Sequence, residues 1–171
     1  MTEHSITAQP ITAHPGPQPE LTVAVITLDT LESTRQLLRY LQAQTAKSRI
    51  EILIVCPSEQ QLALDPADLE GFAGHKVAAI GPFDSLHAPR VAAARHASAP
   101  VIAYTEDHCF PAPDWAEALI AAHRGPWAAV GPIVRVTPFD EWGRRTFTMN
   151  TGTGPIDVIQ GITEVTPVYT K

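Results

Sequence analysis

The chain has only two cysteines, Cys56 and Cys109, far apart and outside any CxxC spacing. That argues against a disulfide framework or a structural zinc site and fits a reducing compartment. Basic residues are outnumbered, 12 Lys and Arg against 18 Asp and Glu, for a net charge of -6. No basic run is concentrated enough to overrule that average, which argues against a nucleic-acid partner. No window approaches the roughly 18 apolar residues of a membrane span. The first twenty residues also lack the basic start and apolar stretch of a signal peptide. The expected location is cytoplasmic, with peripheral attachment to a membrane or to a protein partner left open. Neither GxGxxG after the first strand nor GxxxxGK[ST] occurs, so a dinucleotide site and a phosphate loop are not expected. Ser58 has no Gly-x-Ser-x-Gly context, and Cys56 lies in an apolar run without a basic neighbour, so both read as structural.

What is present is 171 residues at 44% hydrophobic content, enough for one domain with a sizeable core. Residues 1–20, with Pro10, Pro15, Pro17 and Pro19, read as a disordered or extended leader. From Leu21 onward, strand-like and helical stretches alternate. "TVAVI" (22–26) is a β-branched run; then "LESTRQLLRYLQAQT" sets Leu31, Thr34, Leu37, Leu38 and Leu41 at helical spacing, with Asp29 and Glu32 as a capping box. "IEILIV" (50–55), "KVAAIG" (76–81) and "VIAYT" (101–105) read as strands, and "ALDPADLEGFA" as a weak helix or loop. "APRVAAARHASA" and "DWAEALIAAHR" read as helices, the second capped by Asp114 and Glu117, and "WAAVGPIVRV" as a further strand. Residues 21–136 therefore read as one α/β domain. Residues 137–171, rich in Gly, Thr and Pro with short strand-like runs at 156–160 and 164–169, read as a shortened or irregular C-terminal segment of it.

Strands apolar on both faces and separated by helices imply an α/β, mostly parallel, doubly wound sheet with helices on both faces. In such sheets ligands bind beyond the carboxyl ends of the strands. Residues 27–29, 56–58, 81–84 and 106–108 should gather on that rim. Glu106, Asp107 and His108 offer oxygen and nitrogen ligands within one short turn, a set suited to Mn²⁺ or Mg²⁺. The competing reading makes them solvated loop residues. Any diphosphate bound here needs a cation and an Arg or Lys. Arg90, on the first turn of its helix, is the candidate; the alternative is a surface arginine on an alanine-rich helix. Trp115 would either line a sugar or acceptor pocket or staple its helix to the sheet.

The stretch "APRVAAARHASAPVIAYTEDH" followed by "PAPDW" resembles the nucleotide-binding half of family-2 glycosyltransferases, which have the GT-A fold. In that family an Ala-Arg-Asn segment lies on a helix. A strand ending in an acidic DxD-type motif follows, and a Pro-x-Trp helix start comes soon after. Here Ala88-Pro89-Arg90 stands near the family's Ala-Arg, and Glu106-Asp107-His108 occupies the DxD position after Tyr104-Thr105. The resemblance covers about residues 21 to 135.

The resemblance implies a nucleotide-sugar donor bound across the strand ends, with Mn²⁺ or Mg²⁺ bridging its diphosphate to Glu106, Asp107 and His108. It further implies that Thr27 and Asp29, matching a Thr-x-Asn loop, contact the nucleoside, that Arg90 lies near the phosphates, and that the sugar passes to an acceptor. The chain departs from the family in three places. "CPSE" stands where Asp-Asp-Gly-Ser is usual, Val91 replaces the helix Asn, and the acidic motif begins with Glu and ends with His. Asp140, Glu141 and Asp157 stand in no family motif, so no general base is assigned. Two other readings accompany this one: a non-catalytic or partner-dependent binding module of the same fold, and a metal-dependent α/β hydrolase using the same acids.

Overall fold

The computed structural model describes residues 18–27, 31–59, 62, 64–107, 109–131, 133–136 and 147–150, with 31–33, 133–136 and 147–150 described by backbone alone. Asp29, His108, the leader up to residue 17, and the runs at 156–160 and 164–169 lie outside the described residues, as do Asp140, Glu141 and Asp157.

Four strands form a parallel sheet: β1 (Leu21–Ile26), β2 (Ile50–Cys56), β3 (Gly74–Ala79) and β4 (Val101–Glu106), in the order β3-β2-β1-β4. β1 and β2 are central and buried at every position, which explains why they read as unbroken apolar runs. Their side chains alternate between two cores. One face packs Val23, Val25, Ile52 and Ile54 against Leu37, Leu38 and Leu41 of α1 (Leu31–Gln42) and Trp115, Leu119 and Ile120 of α3 (Trp115–Ala122). The other packs Ala24, Leu53, Val55 and Ala78 against Ala93 of α2 (His87–His96). Helices thus cover both faces, and the fold class is the doubly wound α/β arrangement read from the sequence. Truncating any one of Leu37, Leu38 or Leu41 would cost about 2–5 kcal/mol, since each is fully buried.

A second sheet, in the order β5-β7-β6, joins β5 (Cys109–Pro111), β6 (Ile133–Val136) and β7 (Phe147–Asn150). β5 follows β4 after two residues and pairs in parallel with β7. No helix among the described residues is long and apolar enough to cross a membrane.

Local expectations were corrected in three places. β3 begins two residues before "KVAAIG", because the backbone of Gly74 and His75 pairs with buried β2 despite weak strand character. Within "WAAVGPIVRV" only Ile133–Val136 forms a strand, the glycine-proline pair having broken the run, and Trp127 is left about half exposed. Asp114 does not cap α3 with its side chain. The buried Gln44, arriving from the end of α1, takes that part: its Oε1 accepts the Ala116 amide at 2.9 Å, and its Nε2 donates to the Ala112 carbonyl at 2.7 Å. Glu117 instead accepts the Thr45 hydroxyl at 3.0 Å. Between β2 and β3, Pro66–Leu69 makes one 3-10 turn, capped by the Asp65 side chain at 2.9 Å.

Candidate functional site

Because all four strands of the main sheet run in parallel, their carboxyl ends share one rim. β1 and β4 are neighbours in a register that sets Ile26 opposite Glu106, so the next residues, Thr27 and Asp107, stand side by side. The Thr27 hydroxyl donates to Asp107 Oδ2 at 3.0 Å. Thr27 is 2% exposed, and its amide donates to the Val55 carbonyl of β2 at 3.1 Å. One residue therefore ties the ends of three strands together. Glu106 and Asp107 are half-buried, reachable from solvent while anchored to the sheet.

Arg90 is exposed at the start of α2, and its carbonyl accepts the Tyr104 hydroxyl at 3.3 Å. Tyr104 lies two residues before Glu106, roughly 7 Å along the strand. This bond links the start of α2 to β4. Among the described residues no carboxylate pairs with the Arg90 guanidinium.

The two thiols border this rim. Burial pushes the Cys56 thiol up, reinforced by the Glu59 carboxylate and opposed by the Ser58 amide. Burial also pushes the Cys109 thiol up; a backbone hydrogen bond from Glu106 opposes that, and the Glu106 and Asp107 carboxylates add to it. Both stay protonated at neutral pH, in line with the structural reading of Cys56.

Of the six residues singled out from the sequence, Thr27, Glu106 and Asp107 stand at the ends of β1 and β4, and Arg90 is exposed at the start of α2. Asp29 and His108 lie outside the described residues. Trp115 is 1% exposed and packed in the core, so it staples α3 to the sheet. Among the described residues no three His, Cys, Asp or Glu side chains form a cage for a metal. The Tyr104–Arg90 hydrogen bond was missed, since it joins residues 14 apart on two elements and no local pattern announces it. A shallow groove of about 690 Å³, lined by Ser48, Pro66, Leu69, Phe72 and His75, opens at the amino end of β3, away from the rim chemistry.

No family model matches the chain, and no curated protein matches it. Among solved structures, S. aureus TarS is similar at 19% identity and a TM-score of 0.51, over 71% of this chain and 22% of that one. The mannosyltransferase PcManGT from Pyrobaculum calidifontis, solved in complex with GDP-Man and Mn²⁺, is similar at 18% identity and a TM-score of 0.48, over 75% of this chain and 39% of that one. The chain spans less than half the length of either. The likeness to TarS is one of fold, a mostly parallel α/β arrangement.

Proposed function

We propose that this chain is the nucleotide-sugar-binding part of a glycosyltransferase of the family-2 type, in which a divalent cation on Glu106 and Asp107 holds the diphosphate of a nucleotide-sugar donor over the rim. The observation that carries the reading is the Thr27–Asp107 hydrogen bond, which joins the loop after β1 to the acidic motif after β4. Two adjacent carboxylates of intermediate burial fit Mn²⁺ or Mg²⁺. Such ions are commonly held by one or two carboxylates together with substrate phosphates, and do not require a complete protein cage. His108 is the third ligand in this reading. Bound there, the cation would neutralise charge on the leaving nucleoside diphosphate as a Lewis acid.

The remaining work falls to the chain's own groups. The exposed Arg90 guanidinium supplies a planar pair of donors for a phosphate. Thr27 and Asp29 border the nucleoside, and the sugar faces an acceptor bound beyond the rim. A module that binds the donor without turnover is the second reading. The residues after β2 favour it, since buried Cys56 and then Pro57 and Ser58 put no carboxylate where the family usually carries one.

Calorimetric titration of UDP-, GDP- and TDP-sugars, with and without Mn²⁺, tests the proposal on the wild type and on Asp107→Ala. The expected result is binding of at least one donor that requires Mn²⁺ and disappears in the variant. Absence of binding by every donor would leave the likeness as one of fold alone. Turnover with a sugar acceptor separates the first reading from the second.

A further inference from the structure

We infer that Thr27 is a positioning residue for the cation: its hydroxyl holds the Asp107 carboxylate in the orientation in which that carboxylate takes up Mn²⁺ or Mg²⁺. The inference rests on the reading of the rim as a cation-assisted donor site, and it gives Thr27 a different task from the nucleoside contact implied by the family resemblance. Three observations support it. The Thr27 amide is fixed on the Val55 carbonyl at 3.1 Å, so its backbone is anchored to β2. Its side chain is β-branched and 2% exposed, which leaves it few rotamers. Its hydroxyl therefore occupies a defined point in space, and it donates to Asp107 Oδ2 at 3.0 Å.

Asp107 stands in the turn immediately beyond the last paired residue of β4. At such a position the strand ladder no longer sets the direction of a side chain, and a hydrogen bond from a rigid neighbour does. Groups that orient a metal-binding carboxylate from behind affect affinity without touching the ion. The loop after β1 and the cation site after β4 thereby share one hydrogen bond.

The test measures unbound Mn²⁺ by electron paramagnetic resonance as the metal alone is titrated into the full chain. Wild type, Thr27→Val, Thr27→Ser and Asp107→Ala are compared. Valine keeps the shape and loses the hydroxyl, whereas serine keeps the hydroxyl. The inference predicts Mn²⁺ affinity about tenfold or more weaker in Thr27→Val and within about threefold of wild type in Thr27→Ser, the range usual for groups behind a metal ligand. A Thr27→Val protein that binds Mn²⁺ like the wild type, while Asp107→Ala does not bind, would overturn the inference and leave the cation site standing. A wild type that takes up no Mn²⁺ would overturn both. If Thr27→Val does not fold, Thr27→Ala removes the same hydroxyl without branching and carries the same comparison.

Discussion

β1 carries a threonine–carboxylate hydrogen bond near each of its ends, and the two are set in opposite surroundings. Near the amino end, Thr22 donates to Glu51 of β2 at 2.7 Å. Near the carboxyl end, Thr27 donates to Asp107 beyond β4 at 3.0 Å. Glu51 is only 3% exposed, and it also meets Lys76 Nζ at 2.9 Å and the Ser98 amide at 2.9 Å. Lys76 in turn donates to the His96 carbonyl and the Ser98 hydroxyl. Asp107, by contrast, is half-buried, in the turn just beyond β4. The same bond serves two ends: a carboxylate enclosed by an ammonium, an amide and a hydroxyl is a structural joint, while the other is met by a rigid threonine at a strand end and is only half-buried.

The largest effect that would sharpen this contrast is on stability. Lys76→Met leaves the Glu51 charge enclosed without its cation, and should cost about 3–5 kcal/mol in urea unfolding. Asp107→Ala should cost less, about 1 kcal/mol, since its carboxylate is only half-buried. Equal losses at the two ends would break the comparison.

A smaller effect should appear with acid. Burial pushes the Glu51 carboxyl up, but the hydrogen bonds from Thr22, Lys76 and Ser98 outweigh it and hold the group below its ordinary value. A carboxyl depressed in the folded state stabilises the fold above its unfolded pKa, about 4.3 for Glu, and loses that contribution as pH falls through the lower folded value. Stability should therefore fall below about pH 4.3, and Glu51→Gln, although less stable at neutral pH, should flatten that acid limb. An unchanged limb in the variant would remove Glu51 from the account.

How much of this was legible in the sequence depended on the range of the interaction. Strands β1 and β2 were readable because burial on both faces demands continuous apolar runs, β4 was readable from its Val, Ile, Tyr and Thr content although it is an edge strand with Tyr104 exposed, and the collection of loops on one rim followed from parallel order. The acids were conspicuous because they stand where the strand-like run ends. The Gln44 cap was not readable, since it joins residues 72 apart in the chain and displaces a local pattern, Asp114 with Glu117, that satisfies the usual spacing. Nor was the amino-end network: "IEILIV" reads as a strand whether its acid is solvated or enclosed, and only the arrival of Lys76 and Ser98 from other elements decides which. At the rim the residue types were legible, but the bond between Thr27 and Asp107 depended on the β1–β4 register.

The most direct test of the rim as the cation-binding end is to record amide resonances of the full chain while adding substoichiometric Mn²⁺, whose paramagnetism broadens signals near the bound ion. The account predicts that Thr27, Glu106 and Asp107 broaden first while Thr22, Glu51 and Ser98 at the other end of the sheet keep their line widths. Broadening that begins at Glu51, or that spreads evenly over both ends, would contradict it.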